Sequence, residues 1–134
     1  MGDRLPRVLR FVSAELKQTG KKRYQANVEL EHSEHGVFAA SADGKSGELD
    51  GLPLAVRAAA SAILKAVGER GDRMEVVGTT ISETFGARSV FVKVVAERRG
   101  LRRELVGFCL IDVDPARAAV LALLSATNRF LGLG

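Results

Sequence analysis

Leu52-Pro-Leu-Ala-Val-Arg-Ala-Ala-Ala-Ser-Ala-Ile-Leu-Lys-Ala-Val67 falls without a gap on Ala116-Arg-Ala-Ala-Val-Leu-Ala-Leu-Leu-Ser-Ala-Thr-Asn-Arg-Phe-Leu131 when the chain is shifted by 64 residues. Ala55, Ala58 and Ala62 land on Ala119, Ala122 and Ala126, Val56 on Val120, and Ser61 on Ser125. The same shift carries Val28 onto Val92, Leu30 onto Val94 and Gly36 onto Gly100. A shared period of this kind marks one supersecondary unit used twice. Two copies are too few for a solenoid. The expected object is a single pseudo-twofold domain over residues 1–134, with one unit at about 8–68 and the other at about 73–132.

Within the quoted run Leu52, Val56, Ala59, Ile63 and Val67 form one stripe at helical spacing, so a helix is predicted over Leu52–Val67. Asp50 is placed to cap it, Pro53 sits in its first turn, and Gly68 and Gly71 end it. Upstream, Tyr24, Ala26, Val28 and Leu30 alternate with polar residues, the pattern of a half-buried strand. His32-Ser-Glu-His-Gly36 reads as a hairpin turn and Val37–Asp43 as the next strand. Val8–Lys17 fits either a helix or a strand. Its counterpart, Met74–Ser82, holds the β-branched cluster Val76, Val77, Thr79, Thr80 and Ile81, which decides for a strand. Ser89–Glu97 and Arg102–Asp112 follow as strands. Asp112 or Asp114 then caps a helix over Ala116–Leu131, opened by Pro115. The fold class is α+β, in the order βββα-βββα, with antiparallel sheets and two helices packed on them.

The second copy differs from the first in carrying Phe91, Val95, Leu105, Cys109 and Ile111 where a solvated strand face is expected. Either the two units stack face to face or a partner chain covers this surface, and a homodimer is the expected answer. The alanine stripes of the two helices allow close approach of backbones.

The chain has 134 residues, 46% hydrophobic and 27% charged, a balance typical of a folded globular protein. With six Phe, one Tyr and no Trp, its core must be built from Val, Leu, Ile and Ala. One cysteine, Cys109, excludes an internal disulfide and suits a reducing compartment. The N-terminus lacks the apolar stretch of a signal peptide, and no run reaches 18 apolar residues. A cytoplasmic protein without a membrane span is expected.

Catalytic chemistry is sparse. His32 and His35 lie three apart in a polar turn, a spacing that does not set two ligands on one helix face, and they read as a solvated hairpin tip. Ala42-Asp-Gly-Lys-Ser-Gly holds a Gly-Lys-Ser, but position 39 is Ala where a phosphate-binding loop needs its first Gly. No Gly-x-Ser-x-Gly elbow occurs. No enzyme, metal or cofactor is therefore expected. Carboxylates gather at the two strand-to-helix junctions, with Asp43, Glu48 and Asp50 in one and Asp112 and Asp114 in the other. Capping accounts for most of them. The same junctions offer free backbone N–H groups, so the pair of charges on an amino acid would suit them.

The double βββα order resembles the C-terminal regulatory (dimerisation) domain of 2-isopropylmalate synthase over about Val8 to Leu131. The best local match is Asp112-Val-Asp-Pro-Ala-Arg-Ala-Ala-Val followed by Ala126-Thr-Asn-Arg-Phe-Leu. It is similar to that family's Asp-initiated final helix with its Ala-Leu-Asn-like tail. Gly44 to Gly51 occupies the place of the family's glycine-rich junction. The resemblance implies a non-catalytic domain that pairs across a twofold axis, binds a feedback amino acid at its junctions and regulates a partner enzyme. The chain holds no counterpart of the catalytic barrel. Gly44, Ser46, Gly47, Asp50, Gly107, Asp112 and Asp114 are the candidate ligand-binding residues. The alternative is a nucleic-acid-binding protein using Lys21, Lys22, Arg23, Arg98, Arg99, Arg102 and Arg103 on its hairpin turns. The net charge of only +4 and the lack of an aromatic stacking platform argue against it.

Overall fold

The computed structural model describes residues 8–47, 49–67 and 72–132. The elements run β1 (Leu9–Gly20), β2 (Arg23–His32), β3 (Gly36–Lys45), a 3-10 turn (Leu49–Gly51), α1 (Leu52–Val67), β4 (Arg73–Thr84), β5 (Ala87–Arg98), β6 (Leu101–Leu110) and α2 (Pro115–Thr127). The protein is α+β in the order βββα-βββα. Each unit contributes an antiparallel three-stranded sheet with its middle strand second in sequence.

The sheets do not fuse. α1 packs on β2 and β3 of its own unit and meets β4 of the other. α2 packs on β5 and β6 and meets β1. The helices touch each other and form a central layer with a sheet on either side, each unit closing over the other's helix. That placement explains why so little of either helix faces water. In α1 only Arg57, Ser61 and Lys65, one residue per turn, are exposed. Ala, Val, Leu and Ile, with Pro53, fill the rest. The burial of α1 and α2 repeats position for position: Leu52, Leu54, Ala55, Val56, Ala58, Ala59, Ala60, Ala62 and Ile63 are buried, and so is every residue 64 positions later.

The repeat extends to irregularities. β1 bulges between Phe11 and Ser13 opposite Leu30 and Glu29, and β4 bulges between Val76 and Gly78 opposite Val94 and Lys93. The extra residue is Val12 in one strand and Val77 in the other, and both are turned outward.

The alanine stripe of α2 rests on its own sheet. A Cβ at Gly107 would lie 2.1 Å from the Ala122 carbonyl oxygen and 2.9 Å from the Ala126 Cβ, so α2 sits almost directly on the β6 backbone. Pairing to Val28 and Val92 makes Ala40 the counterpart of Gly107 beneath α1.

Several expectations need correction. Leu105 pairs with Val94 and Cys109 with Val90, which places both on the inward face. Ile111, just past the strand, also packs against the core. The outward face of the second sheet carries Phe91 and Val95, as expected, together with Val106, Phe108 and Leu110. Unit 1 does not cover it. His32 is not a solvated tip. It is buried, and its Nδ1 accepts hydrogen bonds from the Glu34 and His35 backbone N–H groups while its ring stacks on His35 at 4.4 Å. α2 ends at Thr127 and not at Leu131, although Leu131 remains buried in the turn that follows. Gly68 and Gly71 lie outside the described residues.

Candidate functional site

Both helices begin at the same end of the molecule, because Leu52 and Ala116 line one cleft. This cleft, of about 650 Å³, is walled by Ala14–Lys17 of β1, by Leu49 and Asp50 before α1, and by Asp114 and Pro115 at α2. Ile81 and Arg88 close it from the second sheet. The strand-to-helix junctions of the two units thus open onto a shared space.

Asp114 has the extended backbone of an N-cap residue, φ −116° and ψ 108°, and its Oδ1 accepts from the Ala116 N–H at 3.0 Å. Pro115, fixed near helical φ and without an N–H to satisfy, takes the first helical position. Of the two aspartates considered for this cap, Asp114 is the one used. Asp114→Ala is expected to cost about 1 kcal/mol in urea unfolding, with most of it restored by Asn.

The other junction is built differently. Asp50 does not cap α1: its backbone is left-handed (φ 52°, ψ 42°) inside the 3-10 turn. Leu49 and Gly51 are left-handed as well, giving three such residues in succession. Gly51 is required there twice over, by its φ of 84° and because a Cβ would lie 2.5 Å from the Tyr24 ring. The turn is thereby held against the sole tyrosine, and Asp50 is left exposed at the cleft. For non-glycine residues this conformation costs roughly 1–2 kcal/mol each.

Of the predicted ligand residues, the structure brings Asp50 and Asp114 together on this cleft. Asp112 lies instead in an adjoining hollow of about 480 Å³ beside Cys109 and Arg117. Gly44 ends β3 opposite Tyr24, and the Ser46 N–H is bonded to the Lys22 carbonyl at 2.8 Å. Gly44, Ser46 and Gly47 do not line the cleft. Gly107 is not at a junction at all. It is buried in β6 beneath α2, where no ligand reaches it. Glu48 lies outside the described residues. Glu15, Lys17, Leu16, Ile81 and Arg88 were missed, because only the side-by-side placement of the two helices with a common starting end brings β1, β4 and β5 to the same space.

The basic clusters stay apart. Lys21 and Lys22 form the β1–β2 turn with Arg23 beside it, at the end where α1 starts. Arg98, Arg99, Arg102 and Arg103 flank the β5–β6 turn at the end where α2 stops. Arg98 is already engaged, its Nη1 donating to the Phe130 carbonyl at 3.0 Å just past α2. A helix of this length, roughly 20 Å, separates the two groups.

Among the described residues no group of three or more His, Cys, Asp or Glu is placed to hold a metal ion, and no helix is long and apolar enough to cross a membrane. No protein-family model matches the chain, and no curated protein matches it.

Proposed function

We propose that this chain is a non-catalytic, dimeric regulatory module that senses a small zwitterion, an amino acid by class, in the cleft between its helix N-termini, and passes the signal to a partner enzyme. The observation that carries this reading is the opening of both junctions onto one space. Asp50 and Asp114 supply acceptors for an ammonium group. Arg88 and the helix N-termini favour a carboxylate. Leu16, Leu52 and Ile81 supply an apolar wall for a side chain. A ligand held by both units reports on their relative position, which is how binding in one place can bias an arrangement elsewhere. The left-handed pair Leu49 and Asp50 adds support, since strain of this kind concentrates at ligand clamps and switches. The single cysteine, Cys109, suits a reducing compartment, which supports a cytoplasmic setting.

Thermal denaturation with each of the twenty amino acids tests the reading. A ligand at a hundred times its dissociation constant stabilises the folded state by about 2.7 kcal/mol, several degrees in a domain of this size. Asp50→Asn combined with Arg88→Gln, both at exposed positions, should remove that shift while leaving the ligand-free melting temperature within about a degree. No shift with any amino acid would overturn the sensing role.

A further inference from the structure

The two sheets provide an internal control on what the fold needs. Positions paired in the same way in the two units can be compared directly. Where the second sheet has Phe91, Val95, Val106, Phe108 and Leu110 on its outward face, the first has Asn27, Glu31, Ala39, Ser41 and Asp43. Apart from Val12 and Val37, the described outer face of the first sheet carries no large apolar residue, so the architecture does not call for an apolar one. Yet Val106, Phe108 and Leu110 are 62%, 59% and 59% exposed, and Phe91 and Phe108 stack at 5.5 Å in the open. Phe85, wholly exposed at the tip of the β4–β5 turn, extends the patch at the Leu110 end. Among the described residues, seven of the ten large exposed apolar ones belong to unit 2.

We infer that the outward face of the second sheet is the surface through which two copies of this chain pair across a twofold axis. The inference rests on the dimeric reading above and names its interface. Charge selects the occupant. In a chain of net charge +4, this face carries three bases, Arg73, Lys93 and Arg102, and three acids, Glu75, Glu97 and Glu104. It is neutral, with opposite charges side by side, as in Lys93 and Glu104 at 3.4 Å. A polyanion or a strongly charged protein gains nothing from such a surface. A second copy presents the same balanced set and can meet each charge with its opposite, the self-complementarity that a twofold interface requires. Size agrees as well. Three strands about 4.8 Å apart and about 40 Å long offer a flat footprint of roughly 600 Å² before side-chain relief, close to the ~800 Å² per partner of a standard interface.

Sedimentation velocity on the full chain from low to high micromolar concentration reads the result. The wild type is expected to dimerise. Phe108→Ser with Leu110→Asp, which copies the first sheet's residues, is expected to raise the dimer dissociation constant at least about thirtyfold with an unchanged circular dichroism spectrum. Should that variant fail to fold, Val106→Ala with Leu110→Asp spares the Phe91–Phe108 stack and carries the same expectation. A dimeric wild type whose folded variants remain equally dimeric would overturn this interface and leave the dimeric reading standing. A wild type that is monomeric at high micromolar concentration would overturn both, leaving the face to a different protein. The response to amino acids is read separately and stands or falls independently.

Discussion

Gly107→Ala is expected to be among the most damaging single substitutions in the chain, although it adds only one methyl group. The added carbon would lie 2.1 Å from the Ala122 carbonyl oxygen and 2.7 Å from the Ala126 amide nitrogen, both backbone atoms of α2. No rotamer change can relieve backbone contact, so the helix must lift away from β6 or the strand must bend. Overpacking of a close-packed interior typically costs 1–3 kcal/mol, and a clash with backbone belongs at the upper end, about 3 kcal/mol here. In thermal unfolding that is a drop of about 10 °C. The counterpart position in unit 1 already holds alanine, so Ala40→Gly should cost only about 1 kcal/mol, from lost packing and added chain freedom. A near-neutral Gly107→Ala would mean that α2 does not rest on β6 as described.

Leu123→Ala is the second large effect expected. Leu123 is wholly buried in the central helix layer, and truncating such a leucine removes transfer free energy and leaves a cavity. A loss of about 3–4 kcal/mol in urea unfolding is anticipated, with an unchanged denaturant slope. Its twin in α1, Ala59, is equally buried, so the two units divide the shared volume unequally. Ala59→Leu should therefore destabilise too, by overpacking. If either substitution were silent, the helix pair would not be sandwiched between the sheets.

Much of this architecture is legible in the residues. β2 follows from the strict alternation of Tyr24, Ala26, Val28 and Leu30, and α1 begins and ends at Leu52 and Val67, as its stripe predicts. Val8–Lys17 reads two ways for a structural reason: the bulge at Val12 inserts one residue into the alternation, so the inward residues are Leu9, Phe11, Ala14 and Leu16, and the period of two is broken midway. The face of β6 was misread because of an offset hidden in a turn. Leu30 pairs with Phe38 eight residues on, but Val94 pairs with Leu105 eleven residues on. Three extra residues are an odd number, which exchanges the two faces of the strand relative to the 64-residue register. A shorter junction before α2 restores the register, so the helices give no sign of the change.

The site was less legible than the fold. Pro115 and the apolar run beyond it mark a cap at Asp112 or Asp114, and the structure decides for Asp114. Asp50 looks like its twin in sequence, but it sits in a left-handed turn that packs Gly51 against Tyr24. That Asp50 and Asp114 share a cleft depends on the helices lying side by side with a common starting end. Nothing local encodes this, and for the same reason Lys17 and Arg88 carried no signal.

The proposed receptor for a small zwitterion at the paired junctions has its sharpest test in amide chemical-shift mapping. With the amino acid that gives the largest thermal shift titrated into the labelled full chain, shifts should saturate and be confined to the cleft. They should cluster at residues 14–17, 49–52, 81, 88 and 114–116, the backbone of the cleft walls. Residue 115 is silent because proline has no amide. Saturating shifts centred elsewhere, or none with any amino acid at millimolar concentration, would show that the junctions are not such a receptor.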